Sequence, residues 1–88
     1  MILEKGRLYV HTRDDIRTWV AWFDIRDPSR STRRPHVGEP IIYLGHGSEI
    51  VRGRGPGVRP VSWCFLRGSA IVEVYNSSFM HGLDEVEQ

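Results

Sequence analysis

Cysteine is nearly missing from this chain: Cys64 stands alone among 88 residues, which excludes a disulfide framework. Lysine is nearly missing too, since every basic side chain except Lys5 is an arginine. No apolar run approaches the roughly 20 residues that span a bilayer. The opening Met1-Ile2-Leu3-Glu4-Lys5-Gly6 lacks the pattern of a secretory signal. The expectation is therefore a cytoplasmic protein without a membrane partner. His11, His36, His46 and His81 do not have the spacing of a helical zinc motif, and one cysteine in an apolar strand is not a ligand set. No metal and no cofactor are expected. Arg52-Gly53-Arg54-Gly55 lacks the Gly-Lys-Ser/Thr ending of a phosphate loop. Residues 68–88 contain no basic side chain at all.

The charge that is present is unevenly spread. The formal net charge is +1, yet residues 26–67 hold eight arginines against Asp27, Glu39 and Glu49, while residues 68–88 hold only the acids Glu73, Asp84, Glu85 and Glu87. A basic middle thus precedes an acidic tail. Arginine presents a planar fork of donors suited to phosphate and carboxylate. A chain of this length is one domain with a small core. Its apolar content of 40% is that of a folded protein rather than a disordered one.

The element pattern is β. Residues 6–12 read as a short strand with Leu8 and Val10 on one face. Residues 16–25 fit two templates. A helix over about 14–24 aligns Ile16, Trp19, Val20 and Phe23, whereas a strand puts Trp19, Ala21, Phe23 and Ile25 on one face and Trp22 on the other. Aromatic and β-branched enrichment favours the strand, paired with 6–12 as a hairpin across Arg13–Asp15. Residues 26–39 (RDPSRSTRRPHVGE), with Pro28 and Pro35 and with Arg30, Arg33 and Arg34 among its basic side chains, read as a mobile basic loop. Pro40-Ile41-Ile42-Tyr43-Leu44 is the clearest strand, and Ile50-Val51 a short return. Residues 52–60 (RGRGPGVRP) are a second mobile basic loop. Residues 61–67 and 70–75 form the best hairpin, turned by Gly68-Ser69. Asn76-Ser77-Ser78 is a turn or one-turn helix, after which Phe79, Met80 and Leu83 cap an open barrel end. Residues 84–88 are expected to fray. Five short strands with Gly/Pro/Ser turns predict an all-β fold, a small antiparallel five-stranded barrel over residues 1–88; the alternative is α+β with the helix at 14–24.

The order of the later features resembles a Src-homology-3-like small barrel. The likeness rests on strand 61–67, the turn Gly68-Ser69, strand 70–75 and the turn Asn76-Ser77-Ser78-Phe79, and on the Gly38-Glu39-Pro40-Ile41-Ile42-Tyr43-Leu44-Gly45 stretch. Barrels of this kind are common in phage and mobile-element proteins, which that resemblance makes a conceivable origin. The strand Val72-Glu73-Val74-Tyr75 is also similar to the Val-Gln-Ile-Tyr motif of type II dihydrofolate reductases. There, glutamate in place of glutamine would set an acid in a pore that holds anionic ligands, which argues against that activity.

Few residues point to chemistry. Gly45-His46-Gly47-Ser48-Glu49 pairs a potential base with a potential nucleophile, but neighbours on an extended chain face apart and no orienting acid is in evidence. Asp14-Asp15 reads as a polar turn. The expected function is non-enzymatic binding or assembly through protein–protein contact or self-association, as a homodimer or tetramer, with Trp22, Tyr9 and Tyr43 as interface candidates. The alternative is nucleic-acid binding through Arg33, Arg34, Arg52 and Arg54. A third reading places a small-ligand or enzyme site at an oligomer interface.

Overall fold

The computed structural model describes residues 2–16, 19–51 and 61–87. The all-β expectation holds. Among the described residues, seven strands rather than the expected five form one open antiparallel sheet, with one short α-helix. The strands are β1 (Leu8–His11), β2 (Trp22–Asp24), β3 (Asp27–Thr32), β4 (Ile41–His46), β5 (Trp63–Arg67), β6 (Ala70–Val74) and β7 (Leu83–Glu85). Helix α1 (Gly47–Ile50) follows β4, and a 3-10 turn (Ser77–Met80) precedes β7. The spatial order is β3-β2-β6-β5-β4-β1-β7.

The β5–β6 hairpin is the one that the alternation foretells. Its register pairs Arg67 with Ala70 and Phe65 with Val72. Gly68 takes φ +60°, while no residue other than glycine has a positive φ among the described residues. The two-residue connection is therefore a type II′ turn, which needs glycine at its first position. The one-turn helix after β6 also stands where it was expected. Asn76 accepts the Ser78 backbone N–H on Oδ1 at 2.9 Å, and the turn drops Phe79 fully into the core.

Other elements differ from expectation, each for a physical reason. The expected hairpin of 6–12 with 16–25 does not form, because β1 lies between β4 and β7. Neither a helix nor a continuous strand runs through the described part of 14–24; only Trp22–Asp24 is strand, and Trp19 N–H closes a local turn on the Ile16 carbonyl. The face assignment there is reversed. Trp22 is 1% exposed and Trp19 58%, and in a strand a one-residue shift exchanges faces. The basic stretch 26–39 is not all loop. Residues 27–32 pair with β2 as the outer strand β3, whose side chains are exposed except for half-buried Thr32. Backbone pairing alone defines it, and proline is tolerated because an outer strand has a side that donates to nothing. Ile50-Val51 is no return strand; the Val51 N–H bonds the Gly47 carbonyl at the end of α1. Asp84 and Glu85 of the expected fraying tail 84–88 are paired with β1, Val10 opposite Asp84 and Tyr9 opposite Glu85. The stretch 52–60 lies outside the described residues.

The core gathers where the sheet curls. Trp22, Phe65, Phe79 and Tyr43 are buried together, with ring centroids 5.8 Å apart for Trp22–Phe65, 5.7 Å for Trp22–Phe79 and 5.3 Å for Tyr43–Phe65. Most of these ring planes are tilted or edge-on, the arrangement that the aromatic quadrupole favours. Trp22 comes from one side of the sheet order, while Tyr9 and Leu83 come from the other. The curl leaves the end of β1 facing the start of β2, and there a cleft opens.

Candidate functional site

The cleft, about 310 Å³, is lined by His11, Arg13, Asp14, Trp22, Arg33, Arg34, Pro35, His36 and Val37. Two chain segments make its walls. One is the end of β1 running into Arg13 and Asp14. The other is the 33–37 segment between β3 and β4, bound to β1 by a parallel bridge of His11 with Val37 and by the Gly38 N–H on the His11 carbonyl at 2.9 Å.

Glu39 fixes the second wall. Both of its oxygens take the Arg33 guanidinium, at 2.7 and 2.8 Å, and Oε1 also accepts the His36 backbone N–H at 2.9 Å. Such bidentate, charge-assisted pairs are the strong ones among surface contacts. The Arg33 guanidinium, with help from the His36 N–H, holds the Glu39 carboxyl down at about 2. Arg67 donates to the Arg33 carbonyl and to Thr32 Oγ1, tying β5 to the same wall.

Asp14 joins the two walls. Its Oδ1 accepts the Trp19 indole N–H at 3.0 Å and the Arg34 guanidinium at 2.5 Å. These bonds, the indole one foremost, hold the Asp14 carboxyl below its ordinary range. Arg34 in turn lies over the Trp19 ring, 5.0 Å from its centroid, a cation–π contact. Trp19 is 58% exposed, Ile16 71% and Val37 53%. Apolar side chains thus stand on the rim of a basic cleft.

The cleft floor is polar in an unusual way. His11 Nε2 lies 2.7 Å from the Phe79 carbonyl. A carbonyl only accepts, so Nε2 carries the hydrogen and Nδ1 keeps its lone pair in the neutral ring. Beside it, edge-on at 6.4 Å between centroids, Trp22 has a buried indole N–H with no hydrogen-bond partner among the described residues. Buried donors are rarely left unmade, and this one belongs to a residue that lines the cleft.

The expected site residues separate into three groups. Trp22, Tyr9 and Tyr43 are 1%, 2% and 4% exposed, so the expectation that they offer exposed aromatic surface is corrected: they fill the core. They pack there with Phe65 and Phe79. Arg33 and Arg34 do stand together at the cleft, each paired with a carboxylate. Arg52 and Arg54 lie outside the described residues. His11, Asp14, Trp19 and Val37 were not foreseen as site residues. Val37 and His11 meet only through a long-range bridge, and both sequence templates assigned Trp19 to a buried face.

A second polar cluster lies within the sheet. Glu73 is 1% exposed and accepts Ser62 Oγ at 2.5 Å and the Tyr75 hydroxyl at 3.0 Å. The Gly45–Glu49 stretch is occupied with structure: His46 Nδ1 donates to the Ser62 carbonyl at 2.9 Å, and its ring packs on Trp63 and Tyr43. Among the described residues, no three His, Cys, Asp or Glu side chains gather as a metal-ligand set, and no helix is long and apolar enough to cross a membrane.

No family model, curated protein or solved structure matches this chain.

Proposed function

We propose that this chain is a non-enzymatic protein-interaction module, a small SH3-like barrel that docks a short segment of another protein in the cleft between β1 and residues 33–37. One observation carries the reading. Trp19 and Val37 are two of the five strongly exposed large apolar side chains among the described residues; Val37 lines the cleft, and Trp19 lies against Asp14 and Arg34, which line it too. Exposed aromatic and apolar groups beside arginine are the composition of protein-binding hot spots. The SH3-like reading is supported by element order: β1, a hairpin excursion β2–β3, a β4-β5-β6 meander, a 3-10 turn and a last strand returning to β1. A different protein is favoured over a second copy as partner. The three aromatics on which self-association rested are buried; of the four arginines on which phosphate contact rested, Arg33 and Arg34 are paired with Glu39 and Asp14, and Arg52 and Arg54 lie outside the described residues.

Panning a displayed random-peptide library tests this. The expected yield is a consensus of an acidic residue among apolar ones, with binding reduced at least tenfold by Trp19→Ala combined with Val37→Ser. Both changes are at exposed positions and should leave the fold intact. Enrichment that survives the double variant, or none at all, refutes the docking site. Binding of a mixed-sequence oligonucleotide that weakens steeply with salt would replace this reading with nucleic-acid recognition.

A further inference from the structure

We propose that the outer face of the sheet is a second docking surface, which takes a basic amphipathic helix of another protein along a belt of aliphatic side chains. The belt shares no residue with the cleft.

The strand registers build it. Leu8 stands opposite Ile42, Ile42 opposite Leu66 and Leu66 opposite Ile71. Backbone bonds carry the same row outward at both ends, from the Val86 N–H to the Leu8 carbonyl and from the Ile25 N–H to the Ile71 carbonyl. Partners across a ladder point to one face of the sheet. These six side chains therefore form one line across the sheet. The core lies on the other face: none of the six belongs to the core cluster, and each is half-buried. In an antiparallel sheet the face turned away from the core ordinarily carries polar side chains. A contiguous apolar row in their place marks an interaction surface. The remaining described elements lie elsewhere. Helix α1 sits beyond His46 at the far end of β4, with its Gly47 N–H on the Ser62 carbonyl, and the 3-10 turn puts Phe79 into the core.

Charge names the occupant. Val86 lines a recess with Glu4, Glu85, Glu87 and Arg7. Arg7 pairs with both Glu4 and Glu85, so three acids stand against one base and the recess is net negative. Asp84, opposite Val10 on the face that carries the belt, is exposed and adds another acid. Near Ile25, at the other end, Asp24 and Asp27 are balanced by Arg26 and Arg30. The belt is thus negative at one end alone. Lysine or arginine at one end of an apolar partner meets that charge, whereas nucleic acid and anionic lipid are repelled by it. Helix geometry fits the line. Strands are about 4.8 Å apart and a helix repeats about every 5.4 Å, so one aliphatic side chain per turn meets one strand after another. Contact from Val86 to Leu66 takes about three turns, roughly 12 residues, longer than the short segment that the cleft takes.

The test follows the methyl signals of the full chain by ¹H–¹³C NMR. The probes are a blocked helical peptide with leucine once per turn and lysines at one end, a peptide of the same composition with its leucines spread round the helix, and the first peptide with glutamate for lysine. The expected result is a saturable movement of the Leu8, Ile42 and Leu66 signals with the first peptide, and binding about tenfold weaker with the second. Asp84→Lys combined with Glu87→Lys, both at exposed positions, should weaken the lysine peptide about tenfold and let the glutamate peptide bind in its place. An unchanged lysine-peptide affinity in that variant overturns the basic partner. Equal binding of the two leucine patterns overturns the helix. No movement of any signal, or movement of the Val37 signals alone, overturns the belt as a docking surface. A dimer of the chain alone that Ile42→Ser dissolves overturns the helix in favour of a second copy.

Discussion

Glu39 is a structural acid, and its titration is measurable. In the folded chain its carboxyl titrates at about 2 instead of the ordinary 4.5. The unfolded chain therefore takes up the proton first as pH falls. The contribution of Glu39 to stability is complete above about 4.5 and lost as pH drops toward 2. Urea titrations across this window should show that loss in the native chain and a flatter profile in Arg33→Ala. An identical slope in both would mean that Arg33 does not set the Glu39 proton affinity. Gly45 makes a second residue-scale case. It sits at the β4 bulge with φ +136°, and an added Cβ would come within 3.2 Å of Glu49 Oε2 and 3.3 Å of Lys5 Cε. Backbone strain of this kind costs about 1–3 kcal/mol. Gly45→Ala should lower the melting temperature by at least about 4 °C, since 1 kcal/mol is worth roughly that in so small a domain. An unchanged melting curve would mean that the bulge relaxes freely.

Elements that depend on their own residues were legible in advance; elements that depend on neighbours were not. The β5–β6 hairpin is set by local alternation and Gly68-Ser69, and the following 3-10 turn by Asn76, so both were read correctly. β3 and β7 are outer strands whose side chains are largely exposed. Their pairing is dictated by β2 and β1, which leaves little apolar signature in Asp27-Pro28-Ser29-Arg30 or in Asp84-Glu85. The same division governs the site. Arg33 and Arg34 were legible as a basic segment. Their meeting with His11, Asp14 and Trp19 was not, since it is made by a bridge between positions 11 and 37. The capped turn gives a direct check. Asn76→Ala removes the acceptor of the Ser78 N–H and should cost about 1 kcal/mol, read as a lower urea midpoint at unchanged slope. A larger loss would show that the turn also controls the seating of Phe79.

At the scale of the whole molecule, the radius of gyration is 12.3 Å; a compact chain of this length should have about 12 Å. The molecule reaches that compactness alone. Both outer strands are poor templates for another copy: β3 is polar and interrupted by Pro28, and β7 ends in Asp84 and Glu85. Such features discourage edge-to-edge pairing. Light scattering should therefore return the mass of one chain, 10.2 kDa, at low and high salt alike. A salt-insensitive dimer would restore self-association as the primary role.

The β1–β7 pairing sets a timetable for synthesis. Tyr9 faces Glu85 and His11 faces Leu83, partners 76 and 72 positions apart by their numbers. The β5–β6 hairpin can close as soon as its own residues leave the ribosome. β1, made early, must wait with one side uncovered until residues 83–85 emerge. Closing so long a loop is slow. β7 is thus the latch that covers the free side of β1.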